Sequence, residues 1–193
     1  NPTITDIYDT DAFLNMENVT NGSITIDRKI QPKDSYTAGN NIYAGYISAE
    51  YYPVAPLLVN LGVRYEVSNQ WVDYFTDGGK AERSELNKND LFPALNMKYQ
   101  MNEKNSLRFA FSRTVTRPSF IEMAPFLYQE SYGSAQIRGN ADLQNGYNYN
   151  IDLRYELFRQ NGDMLSITGY YKHLKAPIER VQTLSGGSAV HSF

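Results

Sequence analysis

Residues 57–68, LLVNLGVRYEVS, alternate between apolar and mostly polar or small side chains along their whole length. The apolar positions of one parity are Leu57, Val59, Leu61, Val63, Tyr65 and Val67. The other parity carries Leu58, Asn60, Gly62, Arg64, Glu66 and Ser68. A period of two predicts an extended strand, because successive side chains leave a pleated backbone on opposite faces. The fold then depends on whether a second sheet or lipid covers the apolar face.

Similar alternation predicts six strands, near residues 42–52, 57–67, 93–101, 106–113, 148–158 and 164–174. Short connectors rich in Pro, Asn and Gly, which favour tight turns, follow the first, third and fifth strands. Long polar stretches fill the rest of the chain, at residues 1–40, 68–92, 114–147 and 175–193. A compact soluble domain rarely has a long loop at every second connection, whereas a membrane barrel alternates short periplasmic turns with long extracellular loops. The long stretches are therefore predicted outer loops, separated by hairpins at 42–67, 93–113 and 148–174.

The strands are long enough to cross a membrane. Eleven residues at about 3.3 Å each, tilted by roughly 40°, rise about 28 Å, against an apolar band of about 25 Å in outer-membrane barrels. The polar parity of the strands carries charged residues that would be costly in a dry sandwich core, namely Arg64, Glu66, Arg108, Asp152, Arg154 and Glu156. The predicted fold is all-β: an antiparallel up-and-down meander of about six strands, part of a large transmembrane β-barrel and not closed on its own. A one-layer soluble sheet could also place these charges in solvent.

Composition narrows the function classes. A net charge of −3 over 193 residues argues against a polybasic nucleic-acid binder, and no apolar run approaches the roughly 20 residues of a membrane helix. The absence of cysteine excludes a disulfide framework and thiolate metal sites. Sixteen tyrosines suit strands that meet both lipid and water. The first ten residues, NPTITDIYDT, lack a signal peptide, and we interpret both ends as cuts within a longer chain.

No residues form a recognisable catalytic or metal-binding set. His173 and His191 lie far apart without a nearby carboxylate at ligand or relay spacing, and the DIYDTD segment at 6–11 lacks the Gly and Glu of a calcium loop. The GGK at 78–80 lacks the rest of a phosphate-binding loop. We therefore predict no enzyme activity, no cofactor and no metal.

Aromatic and basic residues of the long stretches are the only candidates for ligand contact, although they could equally pack the loops together or form salt bridges. The aromatic candidates are Trp71, Tyr74, Phe75, Phe126, Tyr128 and Tyr132. The basic candidates are Arg117 and Arg138.

Four segments in order carry a family resemblance: FAFSRTVTRPSFIEMAPF (109–126), GNADL (139–143), NYNIDLRYELF (148–158) and LSITGYYKHLKAPIE (165–179). Together with AGYISAEYY and LGVRYE upstream, they resemble the barrel region of TonB-dependent outer-membrane receptors, most like those of Bacteroidetes. The residues that match the family motif are Ser112, Arg117, Pro118, Ser119, Phe120, Glu122, Met123, Pro125, Gly139, Asn140 and Leu143. The chain departs from the motif after Leu143, where Gln144, Asn145 and Gly146 replace the usual Pro-Glu pair.

The resemblance implies a complete protein that imports a small nutrient ligand of the siderophore, vitamin or glycan class across the outer membrane. TonB and a plug domain would act through parts of the protein outside this chain. Locally, Ser119 and Glu122 have capping-box spacing, so SFIEM is expected to form one helical turn with Phe120 and Met123 packed inward. Three alternatives remain: a soluble β-sandwich that binds glycans or another ligand, an outer-membrane enzyme, and a purely structural barrel.

The isolated chain would expose its apolar face and two free sheet edges to water, and such surfaces seek partners. We expect the isolated chain to self-associate, apolar face against apolar face. Light scattering without detergent measures this state, and a monodisperse monomer would contradict the expectation.

Overall fold

A computed structural model describes residues 14–25, 35–76, 78–131, 133–159, 161–185 and 188–193. The chain forms two compact units, Asn1–Pro32 and Lys33–Phe193. The described part of the first unit contains the short helix α1 (Met16–Thr20), where the side chain of Asn15 accepts a 2.8 Å hydrogen bond from the Asn18 N–H. No helix among the described residues combines the length and apolar character needed to cross a membrane.

The second unit is built almost entirely from strands. In chain order its described elements are β1 (Tyr36–Val54), β2 (Leu57–Phe75), β3 (Ala81–Asn102), β4 (Asn105–Thr116), α2 (Phe120–Met123), β5 (Leu127–Tyr128), β6 (Gln136–Arg138), β7 (Gly146–Phe158), β8 (Met164–Lys175), β9 (Val181–Ser185) and β10 (Ser188–Ser192). Six long strands form a main sheet in the order β1-β2-β3-β4-β7-β8, and four short strands form a second sheet in the order β5-β6-β10-β9.

The main sheet confirms the predicted fold class. All six predicted strands are present, each pairs antiparallel with its neighbour, and β1 and β8 form the two edges. Short turns after β1, β3 and β7 lie at one end, which we call the short-turn end. The connection from β4 to β7 holds α2, β5 and β6 and leaves the opposite end, which we call the long-connector end. Such a sheet forms part of a wall and does not close by itself.

The two faces of the main sheet differ in polarity, and the polar face is the buried one. On the apolar face, Ile47 is 71% exposed, Leu61 55% and Leu153 50%. On the polar face, Glu66 is 8% exposed and Glu156 3%. The soluble-sandwich alternative requires the apolar side chains to be covered, and the structure leaves them open.

Ion pairs hold the charges of the polar face. The carboxylate of Glu156 accepts hydrogen bonds of 2.9 Å from both the Ser106 hydroxyl and Arg108 Nε, and Arg154 Nε lies 3.1 Å away. Glu66 pairs with Arg64 in the same way. Charged groups on a sheet interior are tolerated when they are paired and hydrogen-bonded, so this face is suited to a polar, partly hydrated interior.

The predicted outer loop at 68–92 is wrong: β2 and β3 pair without interruption from Leu57↔Tyr99 to Phe75↔Ala81, leaving only a turn at 76–80. The period of two continues, but neither parity is uniformly apolar. Beyond Val67, the buried parity gains Val72 and Tyr74, while the open parity carries Asn69 and Asp73 as well as Trp71 and Phe75. A search for one continuous apolar parity misses this part of the strand.

Other predicted loop bounds also change. Residues 36–40 of the predicted loop 1–40 belong to β1, and residues 1–13 and 26–34 lie outside the described part of the chain. The stretch 114–147 contains the end of β4, α2, β5, β6 and the start of β7. The stretch 175–193 contains the β9–β10 hairpin, whose strand β10 runs parallel to β6. The sequence did not predict these short strands, because their residues are mostly polar and the partner of β6, the strand β10, is distant in the chain.

The hydrophobic cluster of the described residues lies at the long-connector end. Its buried members are Val72, Tyr74, Leu86, Met123 and Ala124, with Ala38, Phe120 and Phe126 packed against them. We call the three strand segments that carry this cluster the extension: 36–41 of β1, 69–75 of β2 and 81–89 of β3. Packing of α2 against the extension explains why Val72, Tyr74 and Leu86 lie on the polar face.

Adjacent residues on β1 provide a matched test of which face meets lipid. In the intact protein in a bilayer, Ile47→Arg should lower the free energy of unfolding by about 2–4 kcal/mol, because it places a charge in hydrocarbon. Ser48→Arg, on the opposite face, should change it by less than about 1 kcal/mol. Heat-modified mobility of the folded barrel on gels measures the two variants, and equal effects would contradict the assignment of faces.

Candidate functional site

The chain that leaves β4 folds back onto the polar face of β2 at the long-connector end. We call residues 117–126 the strap. The side chain of Arg117 forms an ion pair with Glu66, and Gln70 Nε2 donates a 2.6 Å hydrogen bond to the Pro118 carbonyl. Met123 is completely buried, and its sulfur lies 3.1 Å from the same Gln70 nitrogen. Ionic, polar and apolar contacts together therefore hold the strap against the wall.

A capping box shapes the helical turn of the strap, as its sequence predicts. The Ser119 side chain and the Glu122 side chain satisfy each other's backbone N–H groups, and the Ser119 N–H donates to Glu122 Oε2 at 2.7 Å. The helix α2 ends before Pro125, whose ring cannot continue a helix. The turn places Phe120 and Met123 on the side of the hydrophobic cluster.

Gly139 and Asn140 bring the end of the connector back to the strap. A Cβ atom added at Gly139 would lie 2.2 Å from the carbonyl oxygen of Ala124 and 2.7 Å from that of Glu122, so only glycine fits. The Asn140 N–H donates a 2.6 Å hydrogen bond to the Glu122 carbonyl. Six of the motif residues thus lie in one structure, although they occupy two separate segments of sequence: Arg117, Pro118, Ser119, Glu122, Gly139 and Asn140.

The same asparagine joins the strap to the second sheet. Asn140 Nδ2 donates a 3.1 Å hydrogen bond to the carbonyl of Phe193, directly after β10. Arg180 pairs with Glu130 at 3.0 Å, and its guanidinium lies 5.3 Å from the centre of the Phe193 ring. The β4–β7 connector and the segment after β8 are therefore linked by backbone pairing and by side chains.

The structure does not bring the predicted ligand contacts together. Trp71 lies on the parity opposite to Tyr74, where its ring contacts Gly39 and lies 4.8 Å from the Arg83 guanidinium. Tyr74 is only 7% exposed, and its hydroxyl lies 3.3 Å from Glu82 Oε2. Phe75 is exposed at the end of β2. These residues pack the extension and do not converge on one surface.

The candidates of the β4–β7 connector lie in the second sheet. Tyr128 pairs with Ile137 and is half-buried beside Phe126, and burial raises the pKa of its hydroxyl. Arg138 pairs with Leu127 and is exposed, so it points to the opposite face of this small sheet. Tyr132 lies outside the described residues. Arg138 is the exposed cation among the described candidates, because Arg117 is engaged by Glu66.

Sequence reasoning missed two residues that hold the β4–β7 connector: Gln70, which contacts the strap, and Ser84, which contacts the segment after Gly139. Ser84 Oγ donates a 2.7 Å hydrogen bond to the Ala141 carbonyl, and both side chains are buried. Both lie on the buried parity that continues from Glu66 on β2 and from Asp90 on β3. The continuation of this parity beyond residue 68 is the sequence signal that could have identified Gln70 and Ser84 as inward-facing strand residues.

Arg113 lies where β4 separates from β3. Pairing between β3 and β4 ends at Ala94↔Ser112, while β4 continues to pair with β7. At this separation the Arg113 guanidinium donates a 2.8 Å hydrogen bond to the Leu91 carbonyl and lies 4.3 Å from the centre of the Tyr147 ring. The Tyr147 hydroxyl donates a 2.7 Å hydrogen bond to Asp90. These contacts join β3 to β7 beside the point where the strap leaves the sheet.

A concave region of about 380 Å³ lies on the polar face nearer the short turns. Its charged lining residues are Lys98, Arg108, Asp152 and Arg154. Among the described residues, no group of three or more His, Cys, Asp or Glu side chains is arranged to hold a metal ion. The region is suited to polar contacts and offers no described arrangement for metal chemistry.

Gly139→Ala should release the strap, because the added Cβ meets backbone oxygen that cannot move aside. We expect the free energy of unfolding of the intact barrel to fall by about 1–3 kcal/mol, and proteolysis within residues 117–145 to become faster. Gly45→Ala is the matched control, since a Cβ there meets nothing within 4 Å. Thermal unfolding and limited proteolysis measure both variants, and equal behaviour would show that Gly139 is not needed for the packing.

Comparison with known proteins identifies the kind of wall that these strands form. A model of the outer membrane protein beta-barrel family matches residues 5–192. No curated protein sequence matches the chain.

Two solved structures have similar folds. One is a mutant ferric enterobactin receptor from Pseudomonas aeruginosa in complex with enterobactin, with 17% identity and a TM-score of 0.50 over 82% of this chain and 31% of the receptor. Another is the siderophore receptor PirA from Pseudomonas aeruginosa, with 15% identity and a TM-score of 0.48 over 81% of this chain and 37% of that receptor. The chain thus spans about a third of the length of these receptors, and the first likeness shows a shared barrel fold. Because the family model covers almost the whole chain and the strands have the matching arrangement, this chain belongs to the outer membrane protein beta-barrel family and is located in the outer membrane.

Proposed function

We propose that the chain is a segment of a receptor barrel that captures a small nutrient ligand at the cell surface and imports it with energy from TonB. The observation that carries this proposal is the strap: the β4–β7 connector turns onto the polar face, which lines the interior of an outer-membrane barrel. A segment packed against the interior surface at one end of the barrel is suited to shaping a ligand-binding vestibule. An open water-filled channel needs no such packed segment.

The proposed orientation follows from the connections. Outer-membrane barrels have short periplasmic turns and longer extracellular connections. The two-residue connections after β1 and β3 would therefore face the periplasm. The strap, the extension and the second sheet would face the outside. This orientation retains the predicted outer position of the long connectors, with their bounds corrected.

The remaining partners would be supplied by other parts of the protein. The chain covers 31% of the enterobactin receptor that it resembles in fold, so a plug domain and the segment that contacts TonB would lie outside it. The polar face, with Lys98, Arg108 and Arg154 around its concave region, would face the plug inside the closed barrel. The apolar face would meet the bilayer.

Siderophore, vitamin and glycan ligands are all compatible with this wall, because fold likeness does not select among them. We assign ligand contact in the described chain first to Arg138, which is exposed in the second sheet. The Bacteroidetes type, suggested by the motif residues, stays a prediction.

Uptake by the intact receptor tests the proposal. A panel of a ferric siderophore, cobalamin and oligosaccharides should include at least one compound whose uptake requires both the receptor and an energised TonB complex. Arg138→Ala should weaken binding of that compound about tenfold, the loss expected when a charged hydrogen bond is removed. Arg159→Ala, at the short-turn end, provides a matched arginine control. TonB-independent uptake of every compound, or equal effects of both variants, would contradict the proposal.

A further inference from the structure

Where the extension begins, three asparagines interrupt the apolar face of the main sheet. The apolar residues next to this point are Tyr43 on β1, Val67 on β2 and Leu91 on β3, and further along β2 the same face also carries Trp71 and Phe75. Asn41 faces Asn69, which in turn faces Asn87, so three asparagines occupy one row across adjacent strands. Asn69 Nδ2 donates a hydrogen bond to Asn87 Oδ1. We call these three residues the asparagine row.

Beyond the asparagine row, the same face has little charge to offer an anion. Its charged residues are Asp73, Arg83 and Glu85. Arg83 donates hydrogen bonds to both oxygens of Asp73, and its third contact is Glu85 at 3.5 Å. Two carboxylates therefore surround one guanidinium, which leaves this part of the described face net negative.

The asparagine row is continuous with the surface that the hydrocarbon covers. In the orientation proposed above, on which this inference rests, the row lies where the hydrocarbon of the outer leaflet ends. The outer leaflet of a Gram-negative outer membrane consists largely of glycolipid, whose headgroup offers both phosphates and sugar hydroxyls. Phosphate recognition uses arginine and lysine, whereas an asparagine amide can donate to and accept from a neutral hydroxyl.

We propose that the asparagine row and the outward-facing residues of the extension beyond it bind the saccharide chain of outer-leaflet glycolipid. The hydrocarbon tails would lie against Tyr43, Val67 and Leu91, and the first sugars against the row. The carboxylates of Asp73 and Glu85 would accept hydrogen bonds from hydroxyls further out. The three strands continue past the apolar band as a sheet because this surface is covered by sugars on one side and by the strap on the other.

Two facing asparagine pairs on β2 and β3 give a matched experiment. Asn69→Ala with Asn87→Ala alters the row, and Asn60→Ala with Asn96→Ala alters a facing pair on the polar side of the same two strands. Each intact receptor is extracted from cells that make lipopolysaccharide with its full saccharide core, and from cells that make only the phosphorylated glucosamine disaccharide with its acyl chains. Native mass spectrometry then measures the glycolipid retained per folded receptor.

We expect full-core lipopolysaccharide to be retained about tenfold less by the Asn69/Asn87 variant than by the wild type, as loss of about two hydrogen bonds implies. The Asn60/Asn96 variant should retain as much as the wild type. Equal retention by both variants would overturn the proposal. Equal loss of the full-core and truncated lipids would also overturn it, because the row would then recognise the phosphorylated disaccharide.

Labelling of introduced cysteines tests the orientation separately. The chain contains no cysteine of its own, so each variant has a single site of labelling within it. A maleimide that does not cross the outer membrane should label Gly78→Cys in intact cells and leave Lys104→Cys unlabelled. The reverse result would reject the proposed orientation and this inference with it. Outer labelling of Gly78→Cys together with normal glycolipid retention by the Asn69/Asn87 variant would reject the saccharide contact alone.

Discussion

Contact with hydrocarbon on one face of the main sheet determines the arrangement of the rest. Lipid cannot hydrogen-bond the backbone, so the strands must pair along the whole membrane thickness, and charged side chains must face the other side. The structure meets both requirements: the six strands pair as neighbours, and Glu66 and Glu156 are buried among guanidinium groups on the polar face. Exposed Ile47 and Leu153 are then ordinary for their environment.

Where the hydrocarbon ends, the requirement changes and the sequence changes with it. Past Val67 the outward side chains of β2 include Asn69 and Asp73 together with Trp71 and Phe75. The inward side chains become apolar, because Met123 and Ala124 of the strap pack against Val72 and the residues around it. On β2 the buried parity therefore changes from polar side chains, up to Gln70, to the apolar Val72 and Tyr74. This change separates the membrane wall from the extension, where the hydrophobic cluster lies.

The strap shows why local sequence predicts part of a site. The Ser119–Glu122 capping box is a contact within one turn, so its spacing was sufficient to predict α2. The Arg117–Glu66 ion pair and the hydrogen bond between Gln70 and the Pro118 carbonyl join residues about fifty positions apart, and no local pattern encodes them. Gly139 was recognised from its motif, but its reason, the close approach of the Ala124 carbonyl, is a property of the folded connector.

Local sequence patterns were enough to predict the strand period, the antiparallel meander, the polarity of the two faces within the membrane and the helical turn of the strap. Each depends on neighbours within a strand or within one turn, so the information is local. Only the tertiary structure decided that β2 and β3 extend to residues 75 and 81, that Trp71 and Tyr74 lie on opposite faces, and that two distant segments pair as β6 and β10. The physical reason is that each of these features depends on what covers a surface, and that cover comes from distant residues or from the membrane.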